Sequence, residues 1–196
     1  TFHLKAPIDI TAMNTALGCI VHRHAILRTT FDLTSYSQPL QLVYRDLDLE
    51  IGGEDWSSLP DHALKGTLSR WIQSEKSNKF ELHVAPLIRF NLHPREKGTF
   101  QFTLTFHHAI LDGWSVATLL VELLQEYLRV LKLTSKTLSP IPSLAFRDYV
   151  KLEIDAVADN STRKFWQEQL EAFSFNRLPR SAPNGSQQQM LRRDID

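Results

Sequence analysis

The sequence predicts an α/β fold: a two-layer sandwich in which helices cover one face of a mixed, largely antiparallel sheet. Two observations carry this expectation. Ile88, Phe90 and Leu92 alternate with Arg89, Asn91 and His93, and Phe100, Phe102, Leu104 and Phe106 alternate with Gln101, Thr103 and Thr105. Side chains of a strand alternate between faces, so these are two strands, and the short turn ending at Gly98 makes them an antiparallel hairpin. The second observation is that stretches of helical periodicity are interleaved with the strands.

In chain order, residues 1–6 read as the tail of a strand closed by Pro7. Asp9 or Thr11 then offers an N-cap. Ile10, Met13, Leu17, Ile20, Val21 and His24 follow at helical spacing, so a helix is expected to about Leu27. Residues 28–31 and 40–44 read as extended. Residues 46–60 contain Gly52-Gly53 and Ser57-Ser58 and read as loop. Leu64, Leu68, Trp71 and Ile72 mark one face of a helix over 61–76. A long helix is expected over 115–132, burying Val116, Leu120, Leu123, Leu124, Tyr127 and Leu131. A Ser/Thr/Pro-rich linker over 134–142 leads to two further helices, about 143–157 and 162–172. The last ten residues look like the start of another strand.

Composition narrows the function classes. The 196 residues are enough for one sizeable core. Lys plus Arg and Asp plus Glu are both 22, so nothing points to nucleic acid or an anionic membrane as partner. The single cysteine, Cys19, excludes an internal disulfide and a cysteine-based zinc site, and reads as a small buried apolar residue. No apolar run approaches the ~18 residues that would span a bilayer. The first residues, TFHLKAP, have neither the basic start nor the apolar core of a signal peptide. The cytoplasm is therefore the expected compartment. The sequence has no initiator methionine and reads as a piece of a longer protein.

The chemistry-bearing stretch is Phe106 to Ser115, FHHAILDGWS. Chance would place two histidines, an aspartate and a glycine at this spacing in fewer than about one in a thousand chains of this composition. The strand pleat is expected to send His107 and His108 to opposite faces, so that one faces a cleft while the other packs. Asp112 and Gly113 fall at a strand-to-helix turn, where glycine permits unusual backbone angles or close approach. The free N–H groups of the following helix point to the same place. A lone histidine at a strand end is more often structural than catalytic, but the full cluster reverses that weighting. His108 and Asp112 could supply two metal ligands, but the others are not evident, and no metal is expected. No GxSxG nucleophile elbow exists anywhere in the sequence.

HHAILDGWS resembles the HHxxxDG motif of condensation domains of nonribosomal peptide synthetases, which belong with the chloramphenicol acetyltransferase-like acyltransferases. Three further stretches match in order. Arg23 to Phe31, RHAILRTTF, resembles the family's RHxxLRTxF. Phe146 to Val150 resembles its YxDYA element, with Leu152 where a tryptophan is usual. Phe165 to Leu170 resembles YWxxxL. Trp114-Ser115 after the Asp-Gly pair is closer to condensation than to epimerization domains. The family's first motif, near SxAQxRLW, and its second half are not among these residues.

The resemblance implies a two-lobed domain with its active site in the tunnel between lobes. Residues 1–175 would be the N-terminal lobe and 176–196 the crossover toward the C-terminal lobe. The implied reaction is amide-bond formation between a donor acyl or peptidyl thioester and an acceptor aminoacyl thioester. Both ride on phosphopantetheine arms of carrier proteins, and adenylation domains accompany them. No cofactor is expected in the domain itself, and the isolated lobe is expected to be inactive. His108 maps to the histidine that takes a proton from the attacking amine or holds that amine in place. Asp112 would pair with an arginine, Arg28 first and Arg23 second, and shape the loop. His107 would pack beneath it, and the Gly113 N–H could help a developing oxyanion. A relative using coenzyme A and a non-catalytic carrier-docking lobe are the alternatives.

Overall fold

The computed structural model describes residues 1–141 and 143–171 and divides the chain into two compact units, Thr1–Ile141 and Pro142–Asp196. The first unit holds β1 (Phe2–Lys5), α1 (Ile10–Arg23), β2 (Thr29–Asp32), β3 (Leu40–Val43), β4 (Ile51–Gly52), α2 (Asp61–Ser77), β5 (Ile88–Arg95), β6 (Thr99–Phe106) and α3 (Gly113–Val130). The second holds α4 (Phe146–Ala158) and α5 (Asn160–Glu171). The expected boundary at 175–176 and the expected final strand lie outside the described residues.

The hairpin forms in the register its alternation requires. Ile88 pairs with Phe106, Phe90 with Leu104 and Leu92 with Phe102. β1 joins β6 antiparallel, and β4 joins β5 parallel, giving a mixed sheet of order β1-β6-β5-β4. β2 and β3 form a separate antiparallel pair.

β4 lies in the stretch that reads as loop from sequence. Its neighbour Gly53 has φ +133°, and a Cβ there would stand 2.1 Å from the Leu92 carbonyl oxygen. A glycine pair looks like a breaker, but here it is what lets a short strand approach β5 so closely.

One sheet face packs on α1 and α3. Met13, Ala16, Leu17 and Ile20 of α1 and Leu119, Leu123 and Tyr127 of α3 close over Ile88, Phe90, Leu92, Phe100 and Phe102. Asp9 is the α1 N-cap, its Oδ1 accepting from Ala12 N at 2.8 Å. α1 ends at Arg23, earlier than expected, and a 3-10 turn over Ala25–Arg28 follows. The buried stripe of α3 is centred on Leu119, Leu123, Glu126 and Tyr127, while Val116, Leu120 and Leu131 pack at its margin. Cys19, expected inside, is exposed. It falls between the buried positions Ala16, Leu17 and Ile20 and points out of the stripe; partial burial, and then the neighbouring Glu126 carboxylate, push its thiol pKa up. Ile10, at the helix start, is exposed as well.

Tyr127 ties α3 to the entry of α1. Its hydroxyl donates to the Pro7 carbonyl at 2.6 Å and accepts from Asp9 N at 2.9 Å.

The other sheet face is also covered, which alternation alone did not indicate. His93 occupies a polar position of the pattern yet is fully buried. Its ring stacks on Trp56 at 3.7 Å between centroids, and Trp71 of α2 meets it edge-on at 4.7 Å. Glu75 of α2 holds Arg89 at 2.6 Å. So α1 and α3 layer on one face, and α2 adds cover on the second.

In the second unit, Asp159 separates the two helices and caps α5, accepting from Thr162 N at 2.7 Å. The Ser161 and Thr162 hydroxyls on its oxygens pull its carboxyl down to about 2. Among the described residues no helix is long and apolar enough to cross a membrane.

Burial lowers the His93 pKa, outweighing the Glu54 backbone bond that raises it. The unfolded chain therefore takes up a proton more readily than the folded one. Stability is full above about pH 6.5, the ordinary histidine value, and is lost as pH falls toward the lower folded value. Thermal denaturation between pH 7 and pH 5 is expected to show a falling midpoint, and His93→Phe to flatten that fall.

Candidate active site

β6 stops at Phe106, one residue before the histidine pair. His107 N still donates to Leu87 O at 2.9 Å, and then Ile110 N donates back to His107 O at 3.1 Å, closing a four-residue turn. The two histidines are therefore separated by a turn and not by the strand pleat. His107 is half-buried, and its Nδ1 accepts from Ala109 N at 3.0 Å. His108 occupies the first corner of the turn and is exposed, its imidazole edge-on to the Phe106 ring at 5.2 Å. Ile110 and Leu111, each 6% exposed, plug the far end of the loop into the core. An exposed ring on a loop anchored at both ends is free to meet a substrate without carrying the loop with it.

Asp112 begins α3. Its backbone is extended, its Oδ1 accepts from Ser115 N at 2.8 Å, and its carbonyl accepts the first helical bond, from Val116 N at 2.9 Å. It is an N-cap. The Ser115 hydroxyl and amide hold its carboxyl below the usual carboxylate range. The Gly113 and Trp114 N–H groups find no acceptor among the described residues, so the start of α3 offers two free donors.

Gly113 has an ordinary helical conformation, and a Cβ built on it would meet nothing within 4 Å. The backbone does not require glycine here, contrary to the expectation from sequence. The position borders open space. Trp114 beside it is 85% exposed.

Neither expected arginine reaches Asp112. Arg28 is drawn instead to backbone carbonyls. Its Nε donates to Val21 O at 3.0 Å and its terminal nitrogens to His22 O at 3.3 Å, Arg45 O at 2.9 Å and Tyr44 O. Val21 and His22 lie in the last turn of α1, whose carbonyls lack helical partners. A planar fork of five donors satisfies them and the end of β3 together. Arg23 Nε instead meets Glu122 Oε2 of α3 at 3.1 Å, and His24 Nε2 meets the same oxygen at 2.5 Å. Asp112, at the solvent-facing start of α3, has no ion pair among the described residues.

Glu122 was not singled out from sequence. The available signal was a lone carboxylate within the apolar run Val116 to Leu124. Among the described residues no three His, Cys, Asp or Glu side chains gather as a metal site.

The Condensation domain family matches residues 1–196. The AMB antimetabolite synthetase AmbE of Pseudomonas aeruginosa is 32% identical over 180 residues, covering 91% of this chain and 8% of that protein. The chondramide synthase cmdD of Chondromyces crocatus is 33% identical over 180 residues, covering 88% of this chain and 4% of that one. Among solved structures, the starter condensation domain of the rhizomide synthetase RzmA superposes with a TM-score of 0.72 at 12% identity, over 88% of this chain and 42% of that one. VibH, an NRPS condensation enzyme, gives 0.65 at 20% identity, over 88% and 39%. The chain thus spans under a tenth of these synthetases and about two fifths of the solved structures it matches.

The contact pattern makes Arg28 a stability residue independent of Asp112. Arg28→Ala is expected to cost about 1–2 kcal/mol, chiefly because it leaves the partly buried Val21 carbonyl without its charged donor. Arg28→Lys is expected to recover only part of this. Chemical denaturation of Arg28→Ala, Asp112→Ala and the double variant should give additive changes, whereas an ion pair between the two would appear as coupling.

Proposed function

The chain belongs to the condensation domain family, and from that premise we propose that residues 1–175 are one lobe of a two-lobed amide-forming domain, with 176–196 as the crossover. The donor is an acyl or peptidyl thioester and the acceptor an aminoacyl thioester. Each is carried on the phosphopantetheine arm of a carrier protein, beside the adenylation domains of the same synthetase. The observation that carries this reading is His108, exposed on an anchored turn that leads into α3, whose first N–H groups have no acceptor among the described residues.

The chemistry is as follows. The acceptor amine attacks the donor thioester carbonyl, forming the C–N bond. His108 takes a proton from the attacking nitrogen, or accepts its hydrogen bond and so aims it. Negative charge gathers on the carbonyl oxygen, within the field of the Gly113 and Trp114 N–H groups and the positive end of α3. Collapse expels the donor's thiolate, which takes up a proton. His107 and Asp112 fix the two ends of the loop that presents the ring. The active site is completed by the second lobe.

Two results test this. In the complete two-lobed protein, His108→Ala is expected to lower condensation of carrier-bound substrates about 100-fold or more while carrier binding persists. Full turnover by that variant, or equal turnover with a coenzyme A-bound donor, would overturn the reading. Gly113→Ala is expected to preserve or raise the thermal midpoint, since alanine suits a helix and the space is open. It should nevertheless slow product formation, because a methyl group would stand over the amides.

A further inference from the structure

We infer that Glu122 is a positioning residue for the His108 loop, acting through the rigid body of α3; this rests on the function proposed above. Three observations support it. First, one carboxylate oxygen, Oε2, receives both Arg23 Nε at 3.1 Å and His24 Nε2 at 2.5 Å, so α3 is gripped from the C-terminal end of α1. The Arg23 and Glu122 side chains are 11% and 16% exposed, which shields the pair from solvent screening. Arg23 also donates to the Ser139 carbonyl at 2.7 Å and hydroxyl at 3.2 Å, which restrains it beside the carboxylate.

Second, Glu122 is one of two polar pins between α3 and the α1 segment. The other, Tyr127, bonds to Pro7 and Asp9 at the entry to α1. Apolar packing resists separation of two helices but tolerates small slides, because Leu, Ile and Met side chains adapt. Pins at both ends of α1 remove that freedom. Of the two, Glu122 is the nearer to Gly113, about 14 Å along the helix axis.

Third, the loop that carries His108 takes its downstream position from α3. Asp112 is bonded to Ser115 and Val116, so the end of the loop moves with the first turn of the helix. A displacement of 1 Å at a reacting group can cost on the order of 100-fold in rate. The grip at Glu122 thus sets a distance at His108 without touching substrate. Arg23 and His24 of the RHxxLRTxF-like stretch are thereby linked physically to the HHxxxDG-like stretch, although neither meets Asp112.

Glu122→Gln tests this, because it keeps the size and an acceptor oxygen while removing the charge. In the complete two-lobed protein, kcat for condensation is expected to fall about tenfold or more, with KM for the carrier-bound substrates changed less than about twofold. Hydrogen exchange on this chain gives a second readout. The bonded amides of Ser115 and Val116 should exchange about tenfold faster in the variant, while those of β5 and β6 keep their protection. The pair Arg23→Glu with Glu122→Arg should recover part of both losses. If kcat and exchange at Ser115 and Val116 both match the unaltered protein, or if protection falls uniformly across the first unit, the inference is overturned. If the unaltered protein forms no amide while the exchange result holds, the functional reading fails and the positioning stands.

Discussion

The ladder between β5 and β6 is the constraint on which the rest depends. Its register is set by a two-residue period: slipping one strand by one residue would turn Phe90, Leu92, Phe100 and Phe102 away from α1 and α3. With the register fixed, the end of β6 is fixed too. The last pair is Ile88 with Phe106, and one further bond, His107 N to Leu87 O, marks where the strand gives way to the turn. The place of the histidines is therefore a by-product of core formation some way from them. The parallel strand β4, admitted by Gly53 against the Leu92 carbonyl, extends the same register on the far side.

Around this ladder, polar groups decide how the helices sit. The hydrophobic face gives most of the free energy of association, but it is non-directional. Direction comes from a few bonds in half-buried places: Tyr127 to Pro7 and Asp9, Glu122 to Arg23 and His24, and Arg28 to the carbonyls at the end of α1. The Tyr127 and Glu122 bonds and the Arg28 bond to Val21 are partly buried, so each is worth more than a surface contact of the same type. On the second face, His93 plays a comparable part, stacked on Trp56 with its Nδ1 on the Glu54 backbone.

Much of this was legible in the sequence. The hairpin and the approximate positions of α1, α2 and α3 followed from periodicity, because burial on one face imposes it directly. The histidine cluster stood out by spacing. The remainder turned on features that a one-dimensional pattern does not encode. β4 was hidden because a glycine pair serves both breakers and close approach. His93 looked solvent-facing because alternation tells which residues share a face and not whether that face is covered. Cys19 shows the same limit in a helix, where an apolar residue one step off the stripe points outward. The arginine assignments failed for a chemical reason. Asp112 can satisfy a carboxylate with the amides of its own helix, and Arg28 finds a richer set of acceptors in orphan carbonyls. The motif spacing was correct, but the partners within it are backbone groups, which all sequences share.

His107 carries a consequence of its own. Its Nδ1 accepts the amide two residues ahead, the bond that an asparagine or aspartate side chain makes in an Asx-turn. In the neutral ring the proton then sits on Nε2, and Nδ1 is already occupied. Chemically, the first histidine of the pair behaves as an enlarged asparagine, a local staple for the backbone. Two identical letters side by side thus have different vocations, one grammatical and one semantic. The first keeps the turn in order, and the second is left free to speak to whatever arrives.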